Sequence, residues 1–536
     1  PGTPSAAAPE SEAEPPPYDE WEKNLVAAEF DAEFYAETNP DVVRDGMDPV
    51  VHFLIHGWRE GRDPAPWFSV REYLQDHPDV DRSGSNPFVH YLAVGRAEGR
   101  PPKNQLGFRY RMIAAQVPLE TRVGWAEARS RAVSPAPAQA LAEALARSRT
   151  GLQDLHITFS HDDFARNVGG VQLCIQYEAA RVAALGRDHL HVFPAEHWPT
   201  LRLGQEALLG ISLNGEVAGL FRPAQIVEAL SAARAGRARA SLALHNLLGH
   251  DVDEVIAIAE AAGLTAGFIW LHDFTSLCAG FQLLRNDVED CAAPPADSAA
   301  CRICHYSVGR APQVAAHERL FRRLRLTVVS PSRTALDFWR SRATFPTAGE
   351  IVHPHVRLAR RGRAPAAAPG PLRVAFLGHP VAHKGWPVFV DLAQRHAADP
   401  RYRFMHLGAR RDPRAEVEFH PVAVSLAEPR AMQAALERFD IDVALIWSIY
   451  RETFCLAAYE AAAAGAAIVT CPDSANVAAF VESAGVGRVL PDEAALHDAF
   501  ASGAFAPLAR AVRRPWLHDL EFSGMTADLL QASVAA

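Results

Sequence analysis

The chain has 536 residues, 49% of them hydrophobic, with 53 basic against 63 acidic side chains and a formal net charge of −10. This length can bury cores for two large domains and a smaller one, and the acidic balance argues against a nucleic-acid partner. No apolar run approaches the roughly 18 to 20 residues that span a bilayer, and the opening PGTPSAAAPESEAEPPP has neither a basic nor a hydrophobic signal region, so a cytoplasmic location is expected.

Residues 1–17 are rich in proline, alanine and glutamate and are expected to stay disordered. An internal repeat occupies 18–105. FDAEFYAETNPDV, from Phe30, recurs as FSVREYLQDHPDV from Phe68, and DPVVHFLIHGWREGRDP, from Asp48, recurs as NPFVHYLAVGRAEGRPP from Asn86, both with a 38-residue offset. Each copy is expected to form two short helices joined at N-P-D or H-P-D, with Phe34, Tyr35, Phe53 and Leu54 as packing residues. His52 and His90 fall at matching positions, which favours a structural hydrogen bond over a metal ligand. A pair of such repeats is too few to stand alone and is expected to dock on the remaining chain, on a partner or on a second copy. Residues 106–150, arginine- and alanine-rich around SPAPAQ, are expected as a helical linker.

An α/β pattern begins at Leu155 and is expected to extend over 151–355 as a Rossmann-like domain. A strand leads to a loop with Gly169 and Gly170 and a helix from about Val171, a place where backbone can approach an anion. The strand FIWLHDF ends in His272 and Asp273, at the end of a parallel strand where ligands bind. There an imidazole suits a sugar hydroxyl or acceptor proton and the carboxylate suits orienting it, with a core histidine as the rival reading. Four of the seven cysteines follow, Cys278, Cys291, Cys301 and Cys304, the last two spaced C-x-x-C. Such spacing suits a structural zinc ion, with reduced or disulfide-linked cysteines as alternatives. Arginines in HERLFRRLRL and ARRGR are either solvated or lean on a phosphorylated acceptor or, peripherally, on anionic lipid at the inner membrane. Residues 356–371 read as an interdomain linker.

A second Rossmann-like domain is expected over 372–510. Lys384 is the only lysine after residue 103, in a chain whose default cation is arginine. It lies between a strand (Leu372 to Leu377) and a helix, in a loop with Gly378, His379 and Gly385, where an ammonium can reach a diphosphate at a helix start. Next, DVALIW, SIYRE, TFCLAAYEAAAAG and AAIVTC read as strand, loop, helix, strand. Glu452 falls beside the first helical turn and Glu460 two turns in, where a carboxylate can accept bonds from ribose hydroxyls. The segment 511–536 is expected as a helix (about 516–534) packing back on the first domain.

Strand, glycine loop and K-G, followed by an E-x(7)-E motif, resemble the nucleotide-sugar half of GT-B glycosyltransferases, especially the retaining family 4 group. The resemblance implies an α/β GT-B fold, two Rossmann-like domains facing a cleft beside a small all-α repeat module of a kind found next to bacterial polysaccharide glycosyltransferases. It implies a hexosyltransferase-type activity that needs no catalytic metal, with a nucleoside diphosphate sugar as donor and a saccharide, lipid-linked or protein acceptor. Lys384 would bind the diphosphate, Glu452 the transferred sugar and Glu460 the ribose, with Thr453 and Phe454 lining the donor. The loop Cys471 to Val477, including Ser474, Asn476 and Val477, would approach sugar and phosphate through backbone N–H groups. Gly169 and Gly170 would face the cleft, and His272 would face the donor sugar. The family usually has arginine after the first-loop glycine, where this chain has His379 after Gly378. A GT-B sugar-nucleotide epimerase and a non-catalytic repeat scaffold are the rival functions.

Overall fold

A computed structural model describes residues 18–103, 106–167, 169–233, 239–363, 370–503 and 516–535; the tail expected over 1–17 lies outside them. The chain divides into two compact units, Pro1–Ala115 and Gln116–Ala536.

In the first unit each repeat holds three helical segments rather than the expected two: Ala32–Thr38, Pro40–Arg44 and Pro49–His52, matched by Val70–Asp76, Pro78–Ser83 and Pro87–His90. The third continues without a break into a π-helical turn, Phe53–Gly57 in one copy and Tyr91–Gly95 in the other. Its signals were local: Asp48 and Asn86 cap it by accepting from the next N–H groups, and proline occupies the first turn, where no donor is needed. Tyr35 and His52 Nδ1 are hydrogen-bonded at 2.9 Å, as are Tyr73 and His90 Nδ1, so the duplicated histidines are structural. Both hydroxyls lie against glycine. A Cβ at Gly57 would meet the Tyr35 oxygen at 2.0 Å, and one at Gly95 would meet that of Tyr73 at 2.2 Å. Tyr35 and Tyr73 are fully buried, so neither can swing aside. Gly57→Ala and Gly95→Ala should each lower the stability of this unit by about 1–3 kcal/mol, read as an earlier calorimetric transition of the whole chain.

The second unit contains two open sheets. The first has eight strands in the order Gly349–Val352, Arg325–Ser330, Ala266–Trp270, Arg239–Leu244, Asp154–Phe159, Asp188–Pro194, Leu209–Leu213, Glu216–Phe221. The first six run parallel and the last two are added antiparallel. Asp154–Phe159 and Arg239–Leu244 are buried along nearly their whole length, as strands covered on both faces must be. Of the segment expected as a 106–150 linker, helices Leu119–Arg131 and Ala138–Ala146 insert Leu119, Leu141 and Leu145 into this sheet's core.

The second sheet is all parallel, in the order Glu418–Pro421, Tyr402–Gly408, Leu372–Leu377, Val443–Leu445, Ala467–Thr470, Gly487–Val489. Numbered along the chain this is 3-2-1-4-5-6, the doubly wound order whose direction reverses between strands one and four. Together the two Rossmann-like sheets are consistent with GT-B architecture.

The expected single helix over 516–534 is instead a strand, Trp516–Phe522, followed by helix Thr526–Ala535. The strand pairs antiparallel with Val356–Arg363, so the segment expected as linker is partly a strand itself; 364–369 lie outside the described residues. The pairing partner is more than 150 positions away, and local pattern does not reveal it. The helix does return to the first domain: the Thr526 N–H donates to Glu178 Oε2 at 2.9 Å, the Trp270 indole N–H donates to the Thr526 hydroxyl at 2.9 Å, and Arg181 pairs with Asp528 at 3.3 Å. Among the described residues no helix is long and apolar enough to cross a membrane. The arginines of the 317–326 cluster form surface pairs, Arg322 with Glu318 and Arg323 with Glu260.

Candidate active site

Ligands of doubly wound sheets bind where the strand order reverses, beyond the carboxyl ends of the two strands concerned. In the second sheet these strands are Leu372–Leu377 and Val443–Leu445, and the loops leaving them carry Lys384 and Glu452. The two side chains meet. Lys384 Nζ donates to Glu452 Oε1 and to the Tyr450 hydroxyl, both at 2.6 Å; Ser448 donates to Oε1 at 2.7 Å and Tyr450 to Oε2 at 2.8 Å. Glu452 is buried, with 3% of its side chain exposed, while Lys384 keeps 35%. Burial works against the ammonium, but the Glu452 carboxylate and Tyr450 outweigh it and hold its pKa well above the usual lysine range. Ser448 and Tyr450 were not singled out in the sequence; their signal is an extended loop that places them four and two residues before the acid.

Glycine makes the Lys384 loop fit. Gly385 has φ +82° and a Cβ there would lie 2.1 Å from the Trp447 carbonyl oxygen, so only glycine lets the lysine loop lie against the glutamate loop. The Ile449 N–H donating to the His383 carbonyl at 3.0 Å joins the same two segments. Gly378, φ +92°, turns the chain out of its strand and leaves His379 exposed.

Glu460 lies inside helix Leu456–Ala463, buried to 6% exposure. Burial pushes its carboxyl up to about 7. Ser474 donates to the Ser448 carbonyl at 2.9 Å, binding the 471–477 loop to the Glu452 loop. Ala475, with φ +48°, turns the chain into helix Asn476–Ala484. Asn476 and Val477 open this helix, and Val477 points its side chain into the core.

The remaining candidate residues lie at the carboxyl ends of strands of the first sheet, whose order reverses between Asp154–Phe159 and Arg239–Leu244. Helix Gly170–Ala184 begins at Gly169 without a side-chain cap; a Cβ on Gly169 would meet Gln172 Oε1 at 2.3 Å, whereas Gly170 has open space around it. His272 bonds through Nε2 to His245 Nδ1 at 2.9 Å, and its ring stacks on His245 and Trp270. Burial, with His355 and His245 beside it, holds its pKa well below the usual range, so this imidazole is neutral. Asp273 does not orient that ring: its carboxylate is taken up by Asn246 and by the Thr275 N–H, the latter at 2.8 Å. His245 takes the orienting role through a group not anticipated from sequence. Glu178, fully buried, accepts bonds from His245 Nε2 at 3.0 Å, His156 Nε2 at 3.2 Å and the Thr158 hydroxyl at 2.9 Å. Burial alone would raise its pKa, but His245 and His156 hold it well below the usual carboxylate range. The signal was a run of histidines on strands that are otherwise buried, whose ring nitrogens need hydrogen-bond partners inside.

The two sets of loops touch. Thr453 donates to the His272 carbonyl at 2.7 Å and its own carbonyl accepts from Ser332 at 2.8 Å. The Phe454 ring lies on that of His355, with centroids 4.9 Å apart, and Arg451 forks onto Asp290 at 2.7 and 3.0 Å. Among the described residues one trio, Cys174, His272 and His355, places three metal-ligating atoms within 4.8 Å of one another.

No family model matches the chain, and no curated protein matches it. Solved structures that resemble it include Anabaena Alr3699/HepE in complex with UDP and glucose, at 11% identity over 71% of this chain and 99% of that one, with a TM-score of 0.41. WaaG, a glycosyltransferase involved in lipopolysaccharide biosynthesis, is 13% identical over 67% of this chain and 94% of its own, at a TM-score of 0.38. The GtfA/B complex is 11% identical at a TM-score of 0.37, and the chain spans 64% of the length of that protein. These likenesses are slight, and the fold assignment rests on the strand orders above.

Proposed function

We propose that the chain is a retaining glycosyltransferase that moves a sugar from a nucleoside diphosphate donor to an acceptor hydroxyl. The observation that carries this reading is the pairing of Lys384 with Glu452 at the strand-order reversal of the second sheet. The diphosphate would take the Lys384 ammonium, supported by the first turns of helices Trp386–Arg395 and Asn476–Ala484. Leaving-group charge is then met by groups already in place, commonly the largest catalytic effect. Glu452, whose oxygens are occupied by Ser448, Tyr450 and Lys384, is better suited to positioning the sugar than to forming a covalent adduct, so departure and attack on one face are expected. Glu460 would hold the ribose. Neutral His272, fixed through His245 and Glu178, would offer a hydrogen bond to the sugar or acceptor.

A thermal-shift screen over UDP-, GDP-, dTDP- and CMP-sugars tests the reading. One donor class should raise the melting temperature of the parent and lose that effect in Glu460→Ala. Absence of any shift would overturn it, and turnover of the donor without an acceptor would favour an epimerase.

A further inference from the structure

We propose that Cys278, Cys291, Cys301 and Cys304 bind one structural zinc ion that braces the loop between the His272 strand and helix Ser307–Arg323. The four residues are 26 positions apart at the extremes of the sequence, yet all four line one small cavity of about 20 Å³. A space of that size holds one atom-sized guest. None of the four is in a disulfide.

Arg310 Nη1 donates to Cys301 Sγ at 3.0 Å. Hydrogen bonds of this kind offset the negative charge that four thiolates retain around a dication. The loop also carries the cost of an irregular path. Leu283, Asn286, Asp287, Ala292 and Ala293 all have left-handed φ, between +45° and +62°, a conformation that is strained for residues with a side chain. Its regular structure amounts to a two-residue ladder, Leu284–Arg285 with Glu289–Asp290, and the short helix Ala299–Arg302. Zinc–sulfur bonds of about 2.3 Å would supply what that small amount of hydrogen bonding does not.

The sulfurs do not yet lie within 4.8 Å of one another as the atoms of Cys174, His272 and His355 do; a tetrahedral ion would draw them to about 3.8 Å. A zinc-braced loop also holds Asp290, next to Cys291, where it grips Arg451, next to Glu452. This metal site does not depend on the donor reading.

Metal content decides the matter. The full chain, purified without added metal and dialysed, should carry one equivalent of zinc by plasma emission spectroscopy, and cobalt exchange should give the intense thiolate-to-metal absorption of a tetrahedral sulfur site. Cys301→Ala/Cys304→Ala should lose the metal, while Cys304→His, which keeps a ligand, should retain it. Chelator treatment of the parent, which needs no variant to fold, should open trypsin cleavage at Arg285 or Arg302. Less than a tenth of an equivalent of zinc in folded parent protein would overturn the proposal. So would metal that survives Cys301→Ala/Cys304→Ala and disappears in Cys174→Ser, or thiols at the four positions that react equally fast with and without chelator.

Discussion

Lys384→Met is expected to abolish donor binding and, in the protein without ligand, to lower stability by about 1–3 kcal/mol. The first effect follows from removing the one ammonium at the reversal point, with no second lysine after residue 103 to take its place. The second follows because Glu452, 3% exposed, is left as a buried carboxylate with only Ser448 and Tyr450 to satisfy it. The lower end applies because Lys384 keeps about a third of its side chain in solvent, which screens the pair. Lys384→Met/Glu452→Gln should recover most of the lost stability and none of the binding. Urea titrations give the first quantity and calorimetric titration with the donor the second. A single variant as stable as the parent would show that the ion pair does not help hold the two loops together.

Glu460→Gln is expected to do the opposite to stability while still impairing function. Burial places this carboxyl at about 7 in the folded chain, against an ordinary value of 4.5. Between these values the unfolded chain has released its proton and the folded chain keeps it, so stability falls as pH rises from about 4.5 and levels off above about 7. The amide has no proton to lose, and Glu460→Gln should be more stable than the parent at pH 8, by as much as about 3 kcal/mol, with no gain at pH 4. Ribose hydroxyls donating to Glu460 favour its ionised form, so donor binding should tighten through pH 7 and release a proton below it. Denaturant midpoints at pH 4 and pH 8, and binding heats in buffers of different ionisation enthalpy, test both halves. A stability difference that ignores pH would sink the assignment.

The parts of this structure that were legible in the sequence are those in which short-range pattern and final placement coincide. The strand, loop and helix around Lys384, the unit from Val443 to Thr470, and the 38-residue duplication all encode themselves within about thirty residues. Lys384 was marked by composition, since an otherwise arginine-using chain kept one lysine there. What was missed depends on partners distant in sequence. Trp516–Phe522 becomes a strand only because Val356–Arg363 offers an edge. Glu178 sits in a helix that local pattern would turn outward, and its interior place makes sense only when two histidines, His156 and His245, are brought to it by the sheet. Asp273, adjacent to His272 in sequence, turns to Asn246 and Thr275, because neighbours at a strand's end point to different sides.

The Thr526 amide caps Glu178, and that single contact spans almost the whole length of the second unit. A ribosome will have released both sheets before it delivers residue 526. Until then the first domain holds an interior anion with one of its oxygens unsatisfied. That domain therefore completes its packing last although it is translated first, and His245, bonded to the same anion, with His272 bonded to His245 in turn, reaches its final rigidity only after the second sheet has emerged.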